Sequence, residues 1–265
     1  MSRLAILAFA GGLPLALRAA RPDAHVVAFA GADPSLDPRH RIERLDPVFD
    51  ELRGANVTEV VVAGSIPRIA PDPALLDRTG QVLAQALDPA SGGDTTASAA
   101  VVRMLESRGF ILRGAHDIAP DLTAAAGRIA GPAADPNILA DAAIGRRLLS
   151  ALSPFDIGQA VVVAQGRVLG VEGIDGTDAL LRMVAALDPA LRPRGGVLVK
   201  RPKRGQDLRI DMPTIGPRTL ALAETARLTG IAIAAGKVLI LDRAACATFA
   251  DRAHIALWAD AETAG

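Results

Sequence analysis

The chain has 265 residues, a length that is compatible with two domains of roughly 100 to 150 residues and with a full core that needs no disulfides. Its 29 basic and 29 acidic residues balance, with a pI near 6.9, so the composition gives no indication of a nucleic-acid-binding surface. Cys246 is the only cysteine, which excludes an internal disulfide and favours a reducing compartment.

The amino terminus predicts a strand, a turn and a helix rather than a targeting segment. Gly11, Gly12, Pro14 and Arg18 interrupt the apolar stretch that begins at Leu4, which is unlike a signal peptide. No run of about 18 or more uncharged apolar residues follows, so no membrane span is expected.

Short apolar runs alternate with helical patterns through the first half of the chain. Continuous apolar runs bounded by turns are typical of parallel strands that are covered on both faces. The first half, residues 1–131, is therefore predicted to form a Rossmann-like α/β domain. Strands are predicted at 4–10, 25–30, 58–64 and 110–113, and helices at 13–20, 47–54, 73–86 and 96–108.

Three glycine turns in this half follow strands or precede helices, where backbone amides can face an anion: Gly11-Gly12, Gly64-Ser65 and Gly92-Gly93. None has the GxGxxG spacing, and no acidic residue is well placed after the second strand to hold a ribose, so a nicotinamide enzyme is disfavoured. Backbone conformation alone also explains each turn, and helix capping explains Asp94 or Thr95.

The segment from Ala115 to Pro136 mixes proline, glycine and small residues with almost no periodicity, which makes it the best linker candidate. His116, beside a glycine and a carboxylate, is assigned a structural rather than a catalytic role. The four histidines are too scattered for a zinc site, and none pairs with Cys246 in a ligand spacing. No GxSxG elbow, HExxH helix or Walker loop is present.

The second half, residues 137–265, is predicted to form a separate α/β domain with a mixed sheet. Two apolar strands at 160–164 and 167–173 are joined by the tight turn Gln165-Gly166, which predicts a hairpin. Further strands are predicted at 196–200, 231–234, 237–241 and 255–258, and helices at 138–152, 177–187, 218–228 and 243–253.

An acidic cluster marks one strand-to-helix turn of this half. Glu172, Asp175 and Asp178 lie within seven residues, together with Thr177. Carboxylates so close repel one another unless a cation or basic groups lie nearby. Capping of the following helix by Asp175 or Thr177 explains one of these residues but not all of them.

Lysine is rare in this chain, because the 29 basic residues comprise three lysines and 26 arginines. Two of the three, Lys200 and Lys203, lie about ten residues before Asp211, which precedes a predicted helix start. Two ammonium groups and two helix starts can together bind a phosphate. The carboxylate beside them can orient or deprotonate a water, or hold a divalent ion. There are two alternatives to a phosphate site. The two lysines could lie on the surface by chance, or Asp211 could form a surface ion pair with Lys203 or Arg209.

Four sequence blocks carry a resemblance to a known family. They are GFILRGAH, DIGQAVVV, VEGIDGTDALL and VLVKRPKRGQDLRIDMPTIGPRT, beginning at residues 109, 156, 171 and 197. In content and order they resemble the UDP-2,3-diacylglucosamine pyrophosphatases of lipid A biosynthesis, the type that is unrelated to calcineurin-like phosphoesterases. The likeness is closest from Asp156 to Gly216 and weak through about the first 90 residues.

The resemblance implies hydrolysis of UDP-2,3-diacylglucosamine to 2,3-diacylglucosamine 1-phosphate (lipid X) and UMP. Water would attack the phosphorus attached to the sugar, and the lipid would lie between two domains. A divalent metal, expected to be magnesium, is implied as well. The family's catalytic aspartate corresponds to Asp211, which together with Asp178 is also an expected metal ligand. The expected substrate contacts are Gly11, Gly12, Gln159, Thr177, Asp178, Lys200, Lys203 and Thr214.

The chain departs from the family pattern in three places. It has Ala10-Gly11-Gly12 where three glycines are usual, and Thr95 where a second acid is common. Its end after Trp258 is shorter and more polar than the family's. These departures concern the amino-terminal contacts and leave the catalytic block intact.

The expected partners are the glycolipid nucleotide substrate and, through peripheral contact, inner-membrane lipid, with no nucleic acid; a homodimer is compatible with these expectations. The expected location is cytoplasmic, at the inner membrane. The alternative function is a non-catalytic nucleotide-sugar or phospholipid binding module, in which the acidic cluster is solvated and Asp211 only caps a helix. A transferase that uses the same turns is a third interpretation.

Overall fold

The chain divides into two compact units in the computed structural model, which describes residues 3–66, 72–86 and 94–261. The first unit comprises Met1–Pro120 and Asp207–Asp211, and the second comprises Asp121–Gln206 and Met212–Gly265. In the described part of the chain, no helix has both the length and the apolar content needed to cross a membrane.

The first unit is built on a parallel sheet, as the sequence predicts. Its strands are β1 Leu4–Ala8, β2 His25–Ala28, β3 Glu59–Ala63 and β4 Ile111–Arg113. They lie in the order β2-β1-β3-β4, and every neighbouring pair is parallel. All of β1 is buried, and so is all of β3 after its first residue. Burial of both faces explains why these strands are continuously apolar rather than alternating.

The first four helices of the first unit agree with the predicted pattern, apart from one division, and a short fifth helix lies in the segment predicted as a linker. They are α1 Leu13–Ala20, α2 Asp46–Gly54, α3 Arg78–Ala86, α4 Asp94–Glu106 and α5 Ala115–Ile118. The helix predicted at 73–86 is instead a 3-10 turn at Pro73–Leu75 followed by α3. Asp77 accepts a hydrogen bond from the Gly80 amide at 2.7 Å, which caps a new helix there. The predicted turn at Gly92-Gly93 lies outside the described residues.

The second unit contains the predicted mixed sheet. Six strands, β5 Gly127–Ala130, β6 Ala160–Ala164, β7 Arg167–Val171, β8 Val197–Lys200, β10 Gly230–Ala234 and β12 Ala256–Asp260, lie in the order β5-β12-β10-β8-β6-β7. The three central strands β8, β10 and β12 are parallel, and the outer pairings are antiparallel. Two short strands, β9 Thr214–Ile215 and β11 Leu239–Ile240, form a separate parallel pair.

The predicted hairpin joins β6 to β7 through Gln165-Gly166. Both turn residues have positive φ, of 53° and 77°, as a two-residue hairpin turn requires. Asp141, on helix α6 (Pro136–Leu152), accepts hydrogen bonds from both turn amides at 2.7 Å. This buried carboxylate therefore fixes the hairpin to the helix that covers the sheet.

Helices cover both faces of the six-stranded sheet. Helices α7 Gly176–Ala186, α8 Pro217–Thr225 and α9 Arg243–Arg252 pack with alternate strand residues such as Leu198 and Ile231, and α6 packs on the opposite side with Val199 and Trp258. Cys246 of α9 is fully buried, and desolvation raises the pKa of its thiol to about 11. Because successive strand residues face opposite sides of the sheet, the unit has two apolar layers, one between each face of the sheet and its helices.

Strand β5 lies inside the segment from Ala115 to Pro136, which is predicted to be a linker without a strand. It pairs antiparallel with β12 at one edge of the sheet. Its first two residues are exposed, and only Ala130 is buried. An edge strand with so little buried side chain has no apolar pattern, because backbone pairing rather than core packing determines its position.

The segment Asp207–Asp211, called here the excursion segment, belongs to the first unit although it lies within the predicted second domain, 137–265. Ile210 packs against the apolar core of the first unit. Arg209 forms ion pairs with Asp207 at 2.7 Å and with Glu106 of α4 at 3.0 Å. The chain thus returns to the first unit for five residues, and the last of them is Asp211.

Candidate functional site

One edge of the six-stranded sheet, called here the β8 edge, brings together several of the predicted site residues. Strands β8, β10 and β12 run parallel and end there. Strand β6 begins there, with Ala160 opposite Lys200, and β7 returns to the same edge. Gln159 directly precedes β6 and Glu172 directly follows β7, so both lie near the end of β8. Ligands commonly bind where parallel strands end.

Lys200, Thr177 and Glu172 form a hydrogen-bonded chain at this edge. The Lys200 ammonium donates to the Thr177 hydroxyl, which in turn donates to Glu172 Oε2. The Lys200 Nζ and Glu172 Oε2 atoms are 3.7 Å apart. Lys200 is 7% exposed and Glu172 9%, and buried charges are tolerated when they are paired and hydrogen-bonded. Glu172 therefore compensates the buried ammonium, and Thr177 fixes its position.

The acidic turn between β7 and α7 has basic neighbours, as its charge requires. Asp178 lies 2.6 Å from the Arg218 guanidinium. Asp175 is the N-cap residue of α7 but makes no side-chain cap, and the Thr177 hydroxyl bonds to Glu172 and Lys200 instead. Helix capping by Asp175 or Thr177 therefore does not explain the cluster.

Lys203 is the second buried lysine of the site, at 7% exposed. Its ammonium pairs with Asp156, and its backbone amide donates to the Gln206 side chain at 2.8 Å. Gln159 lies three residues after Asp156, and its carbonyl accepts the Arg201 amide at 2.9 Å. Because Lys200 and Lys203 are both buried, the alternative of chance surface lysines is wrong.

Asp211 ends the excursion segment and directly precedes Met212. Its backbone amide donates to the Asp207 carbonyl at 3.1 Å. The hydrogen bonds from Arg209 lower the pKa of Asp207 below its usual range. The N-cap of α8 is Gly216, so Asp211 is not the cap of that helix. Thr214 lies in β9, and its hydroxyl donates to the Met212 carbonyl at 3.1 Å.

The Gly11-Gly12 turn lies in the first unit, at the carboxyl end of β1, and both glycines are exposed. Gly64 lies beside it, where an added Cβ would be 2.5 Å from the Ala10 carbonyl oxygen. Ser65 donates its amide to the same carbonyl at 2.8 Å. The turns after β1 and β3 are therefore in direct contact, because Gly64 has no side chain.

Two of the histidines, which the sequence presents as scattered, share one carboxylate. Glu51 lies 2.8 Å from His25 Nε2 and 2.9 Å from His40 Nε2.

The His116 ring packs over Gly114, and its Nδ1 has no hydrogen-bond partner among the residues that the structure describes. Within the same described ranges, no cluster of three or more His, Cys, Asp or Glu side chains could hold a metal ion.

Glu172, Asp156 and Arg218 contact predicted site residues but were not predicted themselves. Glu172 belongs to the acidic cluster noted in the sequence, and Asp156 is the first residue of the DIGQAVVV block. Local sequence does not show which acid pairs with which lysine, because Asp156 and Lys203 are 47 positions apart. Lysine is almost never buried without a partner. This rarity is the one signal that Lys200 and Lys203, if buried, need acidic partners.

Gly158 is expected to be required for the position of Glu172. Its φ is +58°, and an added Cβ would lie 2.4 Å from the Glu172 carbonyl oxygen. Gly158→Ala should destabilise the second unit by about 2–4 kcal/mol through strain and this collision. Urea unfolding followed by the fluorescence of Trp258, the only tryptophan, measures the effect. The control Gly166→Ala, at φ +77° with open space around it, should cost about 1 kcal/mol. Equal losses in the two variants would refute the collision.

Family comparisons cover both units. The LpxI N-terminal domain matches residues 3–122, and the LpxI C-terminal domain matches residues 125–258. The chain belongs to the LpxI family. It is 36% identical over 266 aligned residues, 95% of each chain, to a Caulobacter vibrioides protein named UDP-2,3-diacylglucosamine pyrophosphatase LpxI. The resemblance inferred from the four sequence blocks is therefore confirmed, and the chain contains both LpxI domains.

Proposed function

We propose that this protein hydrolyses the pyrophosphate bond of UDP-2,3-diacylglucosamine, giving 2,3-diacylglucosamine 1-phosphate and UMP. The observation that carries the proposal is the 36% identity to a pyrophosphatase of that name across 95% of both chains. The match extends through both LpxI domains, so it includes the β8 edge and the excursion segment. The chemistry of the β8 edge supports it independently.

The β8 edge suits an anionic substrate because its cations are held in place before the ligand binds. Lys200 is fixed by Thr177 and Glu172, and Lys203 by Asp156. Charges that are already oriented stabilise developing negative charge with little reorganisation, which is the largest catalytic term in many enzymes. We assign Lys200 and Lys203 to the diphosphate. Gln159, Thr177, Asp178, Thr214, Gly11 and Gly12 are retained as proposed substrate contacts.

Asp211 is proposed as the carboxylate that acts on the attacking water. It lies in the block IDMPTIG, which matches the family's catalytic block. The excursion segment supports this role, because Ile210 is packed in the first-unit core and Arg209 is paired on both sides. A carboxylate on a segment anchored in this way can orient a water and accept its proton.

A divalent metal, proposed to be Mg²⁺, fits a site of this kind. No described group of three or more candidate ligands forms a complete cage. Mg²⁺ is commonly held by one or two carboxylates together with substrate phosphates, so a complete cage is not needed. Asp211 and Asp178 are the proposed protein ligands. A bound Mg²⁺ would neutralise phosphate charge and polarise the phosphorus.

We further propose that the protein works in the cytoplasm and touches the inner membrane only peripherally. The acyl chains of the proposed substrate reside in a bilayer, so the enzyme has to reach the membrane surface to obtain it. Contact with the bilayer surface is sufficient for that purpose.

Purified protein is expected to release UMP from UDP-2,3-diacylglucosamine in the presence of Mg²⁺. A chelator should reduce the rate by about 100-fold or more, and added Mg²⁺ should restore it. In isotope-labelled water the label should appear in 2,3-diacylglucosamine 1-phosphate and not in UMP. Substrate binding without UMP release would support the binding module instead, and a requirement for a second substrate would support a transferase.

A further inference from the structure

Two loops at the β8 edge expose large apolar side chains. The first loop follows α6 and carries Phe155, 71% exposed, and Ile157, which is also exposed. The second loop joins β7 to α7 and carries Ile174, 84% exposed. Ile174 and Phe155 are the two most exposed large hydrophobic side chains in the described part of the chain. Isolated exposed apolar residues are common, but a group of them indicates an interaction surface. These three side chains are called here the apolar tips.

The two loops are neighbours because they extend from the paired strands β6 and β7. The Glu172 amide donates to the Ala160 carbonyl at 2.8 Å, and a Cβ added to Gly158 would lie 2.4 Å from the Glu172 carbonyl oxygen. Ile157 directly precedes Gly158, and Ile174 lies two positions after Glu172. The apolar tips are therefore carried by one group of loops and are not scattered over the second unit.

Backbone hydrogen bonds hold both loops in shape before any partner binds. In the turn at 153–156 the last amide donates to the first carbonyl at 3.1 Å, and the turn at 173–176 is closed in the same way at 3.2 Å. Phe155 lies inside the first turn and Ile174 inside the second. Side chains presented on preformed turns can be covered by a partner with little further ordering of the backbone.

Basic side chains border the apolar tips. The Arg204 amide donates to the Ser153 hydroxyl at 3.1 Å, which places this exposed arginine beside the loop that carries Phe155. Most acids of the two loops are already paired with basic groups: Asp156 with Lys203, Glu172 with Lys200 and Asp178 with Arg218. Among the described residues Asp175 has no ion pair, and neither have Arg201 and Arg204. The charge left over is positive, which suits anionic lipid head groups.

We infer that the apolar tips dock the protein onto an anionic lipid bilayer, with Phe155 and Ile174 inserted among the head groups and Arg204 on lipid phosphates. Aromatic and aliphatic side chains flanked by arginine are typical of interfacial binding. The inference rests on the proposed function, because it names the surface through which the enzyme reaches a bilayer-resident substrate. The same loops carry the proposed substrate contacts Gln159 and Thr177, so docking here brings the β8 edge to the membrane.

The small extent of the apolar tips favours a bilayer over a second copy of the chain. A stable protein–protein interface takes roughly 20 to 30 residues from each partner, and three side chains on two loops are far fewer. Insertion into the head-group region needs only a few apolar side chains, because the bilayer surrounds each of them. A lipid surface is therefore the occupant that these loops fit.

Co-sedimentation of the full-length protein with vesicles of phosphatidylethanolamine and phosphatidylglycerol tests the inference. The wild type should bind, and the double variant Phe155→Ser, Ile174→Ser should bind about tenfold or more weakly, because two inserted apolar side chains are lost. Both positions are exposed, so the urea unfolding midpoint should not change. The matched control Val82→Ser removes a side chain that is 58% exposed on α3 of the first unit and should bind like the wild type. Equal binding by the double variant and the wild type would overturn the inference.

Arg204→Gln distinguishes the contribution of charge from that of apolar insertion. Binding to the vesicles that contain phosphatidylglycerol should weaken by about fivefold, whereas binding to neutral phosphatidylcholine vesicles should stay within about twofold. Equal changes on the two kinds of vesicle would overturn the assignment of Arg204 to anionic head groups.

Hydrolysis assays separate docking from direct contact with the substrate. The double variant should lose about tenfold in UMP release when UDP-2,3-diacylglucosamine is presented in vesicles, and should stay within about threefold of the wild type when it is dispersed in detergent micelles. Equal losses in both would place these side chains on the substrate itself and overturn docking. A dimer that dissociates in the double variant, without any binding of the wild type to vesicles, would assign the apolar tips to a second copy instead.

The two proposals fail in different ways. Hydrolysis in micelles by a protein that does not bind vesicles would remove this inference and leave the proposed function intact. Vesicle binding through the apolar tips without hydrolysis would do the reverse.

Discussion

Asp211→Asn is expected to lower kcat for UMP release by about 10³-fold while leaving substrate affinity within about threefold. Asparagine keeps the size of the side chain and one acceptor oxygen, but its NH₂ group replaces the other carboxylate oxygen, so it cannot accept a proton from water. The backbone contacts of the excursion segment are unaffected, because the Asp211 amide donates to the Asp207 carbonyl whatever the side chain. Steady-state release of UMP and equilibrium binding of substrate provide the two measurements.

Asp207→Asn is the matched control, since Asp207 lies on the same segment. Its carboxylate is bonded to Arg209 and is assigned no contact with water. The change should weaken this ion pair and lower kcat by less than about tenfold, because pairs exposed to this degree contribute little. If Asp211→Asn retained more than about one tenth of the activity, or if both variants lost activity equally, Asp211 would not be the group that acts on water.

The central strands could be predicted from sequence because their surroundings determine their composition. β1 and β6 are buried on both faces and are therefore continuously apolar, and β8 is apolar up to its last residue, Lys200. The hairpin between β6 and β7 was predictable for a local reason, since two adjacent residues had to adopt positive φ. Strand β5 was not predictable, because its position depends on hydrogen bonds to β12, more than 120 residues further along the chain.

The candidate site was predictable in its residue types but not in its connections. Lys200 and Thr177 belong to sequence blocks that resemble the family, and the structure brings them into contact. The excursion segment could not be anticipated, because its place depends on Ile210 packing in the first unit and on an ion pair between Arg209 and Glu106, 103 positions away. No local pattern encodes a contact of this range. The sequence therefore singles out Asp211 through its block but gives no sign that this residue belongs to the first unit.

Thr177→Val should both destabilise the second unit and reduce catalysis. Valine preserves the shape of threonine but removes the hydroxyl that accepts from Lys200 and donates to Glu172. Two buried charged groups then lose a partner, which should cost about 2–4 kcal/mol of unfolding free energy. We expect kcat/KM to fall by about 100-fold, because the ammonium is no longer held in one position. Urea unfolding followed by Trp258 fluorescence and UMP release measure the two effects.

Thr177→Ser distinguishes the contribution of the hydroxyl from that of the methyl group. Serine restores both hydrogen bonds and should recover activity to within about fivefold of the wild type, at a stability cost of about 1 kcal/mol for the missing methyl. A double-mutant cycle with Lys200→Met then measures the coupling. If Thr177 acts by positioning Lys200, the second substitution should add little to the loss of kcat/KM once the first is present. Fully additive losses would show that Thr177 and Lys200 contribute separately to catalysis. The Lys200–Thr177–Glu172 chain would then be a structural feature of the buried edge and would not hold the ammonium for the substrate.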